Sequence, residues 1–168
     1  MSKALIVIDM QNDFITGSLG NPECQAVVPN IVQILQQNSY DKIIFTRDTH
    51  AKDYLQTQEG KNLPVEHCIQ GSEGWNIINE LSNFASEHTV INKITFGSIN
   101  LPDQLKGIEE IDLVGVCTGI CVISNAMILK AAYPEARISV IESATACVSP
   151  ESKQTALEAM KLCQINII

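Results

Sequence analysis

The sequence lacks most of what a nucleic-acid or membrane protein needs. Its 11 basic residues face 19 acidic ones, a formal charge of −8, and the basic residues form no run. Aromatic residues are scarce, with one tryptophan, three tyrosines and four phenylalanines, and none is interleaved with a basic stretch. That speaks against nucleic acid and anionic membrane surfaces as partners. No apolar stretch reaches the roughly 18–20 residues of a membrane span. The apolar start "KALIVIDMQNDF" is too short and too acidic at its end for a signal peptide, so the expected location is cytoplasmic. The six cysteines, at 24, 68, 117, 121, 147 and 163, form no CxxC pair and lack the density of a secreted disulfide scaffold. They read as free thiols. Repeats, low-complexity segments and linkers are also missing, which leaves one domain over residues 1–168.

What is present is apolar content, at 45% of the chain, arranged in short runs. The runs "KALIVID", "KIIFTRD", "TVINK", "IDLVGV", "RISVIES" and "INII" read as six strands. Helical patterns lie between them over Val27 to Gln37, Glu73 to Leu81, "LPDQLK", Gly119 to Tyr133 and Pro150 to Leu162. Strand and helix periods taking turns signal βαβ units, hence an α/β fold with a parallel sheet. The near-continuous apolar runs fit strands covered on both faces. One long stretch from Thr49 to Gly74 carries no regular pattern, and long loops in such folds tend to carry function.

In an open parallel sheet, ligands bind outside the carboxyl ends of the strands. Asp9, Asp48 and Lys93 end three strands, and "CTGIC" follows a fourth. One rim is thereby expected to receive two carboxylates, an ammonium and a thiol. Cys121 lies near the start of the following helix, where unpaired N–H groups and the helix dipole favour a thiolate. With Asp9 as base and Lys93 nearby, it suits nucleophilic attack on an amide carbonyl. An arbitrary cysteine in an apolar helix is more often packed core, and Cys117 is read closer to that. "DTH" at Asp48 to His50 and "EHC" at Glu66 to Cys68 bring two of the three histidines into one segment. Asp48, His50 and the second histidine, with Glu59 as a further candidate, could hold a divalent metal; scattered surface residues are the alternative. His88 reads as a solvated loop residue.

Taken together, "VIDMQNDF", "TRDTH", "LPVEHCIQGSEGW", "NKITFGS" and "LVGVCTGICVISNA" resemble the nicotinamidase branch of the isochorismatase-like cysteine hydrolases, from about Ala4 to Ser149. The resemblance implies a three-layer α/β/α fold around a mainly parallel six-stranded sheet. It implies a catalytic triad of Asp9, Lys93 and Cys121, and a cis Val116–Cys117 peptide that aims the N–H groups of Cys117 and Cys121 at an oxyanion. Metal ligation would fall to Asp48, His50 and His67, with Glu59 a further ligand, and the ion would be zinc, manganese or iron. Phe14, Leu63 and Phe96 would line a pocket for an aromatic amide; relatives often have a tyrosine or another ring where Phe96 stands, and some carry tryptophan where Leu63 stands. Gly119 stands where many relatives have Asp or Asn.

The implied reaction is hydrolysis of nicotinamide, a small-molecule amide, to nicotinate and ammonia. Another hydrolase of the same superfamily, acting on a different amide or a vinyl ether, is the alternative. A Cys117/Cys121 redox pair and a binding domain without chemistry are further readings, and the CxxxC spacing counts against the first. Apolar content beyond the needs of one core would make a homo-oligomer unsurprising.

Overall fold

Alternation along the strands decides how the layers assemble. In the computed structural model, which describes residues 1–168, β1 (Lys3–Ile8) sends Ala4, Ile6 and Ile8 to one face and Leu5 and Val7 to the other. All five are fully buried, as a strand between two helical layers requires. The remaining strands are β2 (Lys42–Asp48), β3 (Thr89–Lys93), β4 (Glu110–Val116), β5 (Arg137–Ala146) and β6 (Asn166–Ile167). They pair in the order β3-β2-β1-β4-β5-β6, and every pairing is parallel. The sheet is therefore wholly, rather than mainly, parallel. Strand order reverses at β1, which places a crevice at the carboxyl ends of β1, β2 and β4.

The helices are α1 (Asn12–Ile15), α2 (Pro22–Ala26), α3 (Val28–Gln36), α4 (Gln58–Asn62), α5 (Asn79–Glu87), α6 (Ile123–Ala132) and α7 (Pro150–Leu162). One core joins Ile6, Ile8, Leu113 and Val140 to Ala126 and Leu129 of α6 and Leu157 and Met160 of α7. The other joins Leu5, Val7, Phe45 and Val114 to Ile31 and Leu35 of α3 and Leu81 of α5. Burying each of the larger side chains among these contributes about 1.5–3 kcal/mol. The sheet thus separates two helical layers, giving three layers in all. Helix α7 starts where Ser149 caps it, its side chain accepting from the Ser152 N–H, with Pro150 in the first turn.

Two elements differ from the sequence reading. The pattern over Glu73 to Leu81 is not helical at its start; the helix runs Asn79–Glu87. Backbone groups of residues 74–78 are instead used by the segment after β1: Asn12 N–H donates to Asn76 O, Asp13 N–H to Gly74 O, and Ile78 N–H to Met10 O. The "LPDQLK" segment closes only a 3-10 turn, Pro102–Leu105. His88 is half-buried beside Phe45, with ring centroids 6.5 Å apart, rather than solvated.

Candidate active site

Asp9 leaves β1 with φ of 49°, a left-handed conformation that an aspartate tolerates better than most residues. Its side chain is fully buried; Oδ1 accepts from Thr46 Oγ1 at 2.7 Å and Oδ2 lies 2.6 Å from Lys93 Nζ. Lys93, 3% exposed at the end of β3, reaches across the strand ends. Its ammonium is 3.4 Å from Asp48 Oδ1 and 3.5 Å from Cys121 Sγ, and donates to Thr95 O at 3.1 Å. Cys121 sits in a single π-helical turn, Thr118–Val122, that leads into α6. Such turns recur at functional sites. The peptide between Val116 and Cys117 is cis.

The four strand ends therefore do meet, and their charges set one another. Burial lowers Lys93, but the carboxylates of Asp9 and Asp48 outweigh it and hold the ammonium protonated. Asp9 is raised by burial and by Asp48, with Lys93 opposing. Cys121 is pushed well above an ordinary thiol by burial and by the Asp9 carboxylate, against Lys93. The thiolate expected from the helix start is thus corrected. Removal from water and a facing carboxylate outweigh the helix-terminal N–H groups and favour the thiol over the thiolate.

Beside this trio, Asp48, His50, Glu59 and His67 converge, their nearest ligand atoms all within 4.8 Å of one another. His50 Nε2 is 2.8 Å and His67 Nε2 3.5 Å from Asp48 Oδ2, and Glu59 Oε1 lies 3.6 and 3.7 Å from the two imidazoles. Ligand atoms about 2.0–2.2 Å from one ion stand roughly 3.3–3.6 Å apart in a tetrahedron, so the donor set fits a divalent cation. His67 Nδ1 donates to the Val65 carbonyl at 2.8 Å, which leaves Nε2 free to ligate. Asp48 is held well below the usual carboxylate range; burial opposes this, but His50, His67 and Lys93 prevail. Glu59 is raised by burial and by Asp48.

Local structure explains the convergence. Thr57 caps α4, accepting from Gly60 N–H at 3.0 Å, and so presents Glu59 from the first turn. Tyr54 donates to Leu63 O at 2.8 Å and packs against both imidazoles, 4.7 and 4.9 Å between ring centroids. The stretch after Thr49 is thus not structureless; its return passes beside His50 in a parallel bridge with Ile69. Cys68 N–H donates to Asp13 Oδ2 at 2.8 Å, which fixes the residue next to His67.

Phe14, Leu63 and Phe96, the three expected pocket residues, line a cavity of about 220 Å³ together with Leu19, Ile120, Val148 and Cys117. Cys121 and the acid and imidazole groups of Asp48, Glu59 and His67 close it. Sequence reading missed Leu19, Ile120 and Val148, for which it holds no signal. It also missed Gln11, whose amide donates to Asp48 O and accepts from Asp48 N–H, both at 2.8 Å. Thr46 could have been found: it lies two residues before Asp48 on the same strand face.

The isochorismatase domain family matches residues 3–168 of the chain. The nicotinamidase/pyrazinamidase of Mycobacterium tuberculosis is 26% identical over 184 aligned residues, covering 99% of this chain and 98% of that protein. Among solved structures, the pyrazinamidase/nicotinamidase of Streptococcus mutans is 30% identical with a TM-score of 0.88, covering 99% and 100% of the two chains. The pyrazinamidase of Pyrococcus horikoshii in complex with zinc shares the fold, with 24% identity, a TM-score of 0.81 and coverage of 100% and 99%.

Proposed function

The chain belongs to the isochorismatase family of hydrolases, and from that premise we propose that it is a nicotinamidase-type amidohydrolase, converting nicotinamide to nicotinate and ammonia through a thioester on Cys121. The observation that carries this reading is the contact of Lys93 with Asp9 and with Cys121, whose side of an apolar cavity is completed by Asp48, Glu59 and His67. Phe14, Leu63 and Phe96 hold the ring, and the carboxamide carbon lies over the Cys121 sulfur.

Asp9 takes the thiol proton as sulfur bonds to the carbonyl carbon, and the oxygen's developing charge is met by the N–H groups of Cys117 and Cys121. The C–N bond then breaks and Asp9 delivers the proton to the departing ammonia. In the second half, Asp9 takes a proton from water as its oxygen attacks the thioester; the C–S bond breaks and the proton returns to sulfur. Lys93 keeps its own proton throughout and holds Asp9 and the sulfur in register. A divalent ion held by Asp48, His50, Glu59 and His67 would supply a Lewis acid for the ring nitrogen, and the nitrogen and oxygen donors suit zinc, manganese or iron. Ammonia release from nicotinamide tests the reading: turnover by the metal-loaded protein that disappears in Cys121→Ala supports it. Release retained in that variant, or none from the folded wild type, refutes it.

A further inference from the structure

Asn125 lies one helical turn beyond Cys121, in α6, and is fully buried. Its Nδ2 donates to Cys121 O at 2.8 Å and to Phe96 O at 3.1 Å, and its Oδ1 accepts from Ser98 N–H at 2.9 Å. Both N–H groups and the carbonyl are thus committed. Two of the three bonds go to the turn that follows β3, which has no helix or strand geometry of its own. That turn carries Phe96 to the cavity wall, although Ile94 and Ile99 on either side are 84% and 82% exposed and anchor nothing. Its other fixings are the Lys93 contact with Thr95 O and the close seat of Gly97 on α6, where a Cβ would stand 2.5 Å from Ile128 Cδ1.

We propose that Asn125 is a positioning residue that couples ring recognition to nucleophile placement, setting Phe96 against the substrate ring and the Cys121 turn beneath it through one amide. The proposal rests on the reading of Cys121 as nucleophile and Phe96 as ring wall. Asn125 itself touches neither substrate nor reacting atoms. A serine here can still donate to the carbonyl one turn back, but it is too short to reach the 96–98 turn. The two halves of the amide's work can therefore be separated.

The experiment uses the full chain with Asn125→Ser, Asn125→Ala, Phe96→Ala and the Asn125→Ser/Phe96→Ala double variant, each shown folded by its thermal melt. Nicotinamide hydrolysis gives kcat and KM; carbamidomethylation of Cys121 by iodoacetamide, followed by peptide mass spectrometry, reports the thiol without any substrate. Asn125→Ser is expected to raise KM several-fold with kcat and alkylation rate near wild type. Asn125→Ala is expected to raise KM similarly, to lower kcat about a hundredfold, as a misplaced nucleophile does, and to change the alkylation rate. The double variant is expected to match the KM of Phe96→Ala, because the serine substitution acts on the ring only through Phe96. Independent, multiplying effects on KM, or a folded Asn125→Ala with wild-type kcat, KM and alkylation, would overturn the proposal. Should the wild type release no ammonia from nicotinamide, the substrate reading fails separately. The alkylation rates then still decide: a change in Asn125→Ala alone supports the positioning of Cys121, and equal rates refute it.

Discussion

Replacing Lys93 by methionine keeps the length of the side chain and removes its charge, which isolates what the ammonium does. In the native protein Nζ lies 2.6 Å from Asp9 Oδ2, 3.4 Å from Asp48 Oδ1 and 3.5 Å from Cys121 Sγ, with the side chain 1% exposed. Breaking a buried ion pair from one side costs about 3–5 kcal/mol, because the remaining charge stays out of water without a partner. Asp9 can limit that cost by taking up a proton. Burial already raises its pKa, with Lys93 among the groups opposing, so removal of Lys93 raises it further. For a carboxyl raised on folding, stability is full below the unfolded pKa and is lost as pH rises through the folded one. Lys93→Met is therefore destabilised more at pH 8 than at pH 5. In a domain of this size 1 kcal/mol shifts Tm by roughly 2–4 °C, which places the fall at pH 8 near 6–20 °C. Ammonia release at neutral pH is expected to drop at least about a hundredfold, since the base is then protonated. Calorimetry at both pH values beside the ammonia assay checks this; melting equal to wild type at both, or activity within tenfold, would refute the role given to the ammonium.

The candidate metal site, the backbone and a distant polar pair supply further tests. His67→Ala removes one of four converging donors and is expected to lose most of its bound divalent metal in elemental analysis while still folding. Gly115 has φ of 111°, and a Cβ there would lie 2.1 Å from Ile8 O in the neighbouring strand. Gly115→Ala is accordingly expected to yield little folded protein, read from soluble expression and circular dichroism. Tyr40 donates to the buried Asp112 at 2.8 Å, and burial and that carboxylate raise its phenol pKa. Tyr40→Phe is expected to cost about 1–2 kcal/mol at neutral pH in urea denaturation. A phenol raised on folding gives stability that is lost as pH rises through its folded value, so the gap between wild type and variant should narrow in strong alkali.

Much of the framework is legible in the chain because single strands carry it. The runs "ALIVI" and "KIIF" can be buried only between two layers, and the carboxyl ends of such strands make Asp9, Asp48 and Lys93 neighbours before any contact is known. Residues that act across segments are harder to read. Gln11 and Asn125 each bond to backbone groups supplied by other elements, and backbone groups carry no mark in the sequence. The helix expected from Glu73 fails for the same reason, since its first residues give their carbonyls to the segment after β1. The thiolate expected at Cys121 fails because the helix start is local, whereas burial and the facing Asp9, which push the thiol pKa up, are not.

The thioester on Cys121 is the central claim, and acid quenching during nicotinamide turnover tests it most directly. Peptide mass spectrometry of the quenched protein should find one nicotinoyl group on the peptide that holds Cys121, absent from Cys121→Ala. Ammonia released in a burst with no acyl group on Cys121, or the group on another residue, would contradict it.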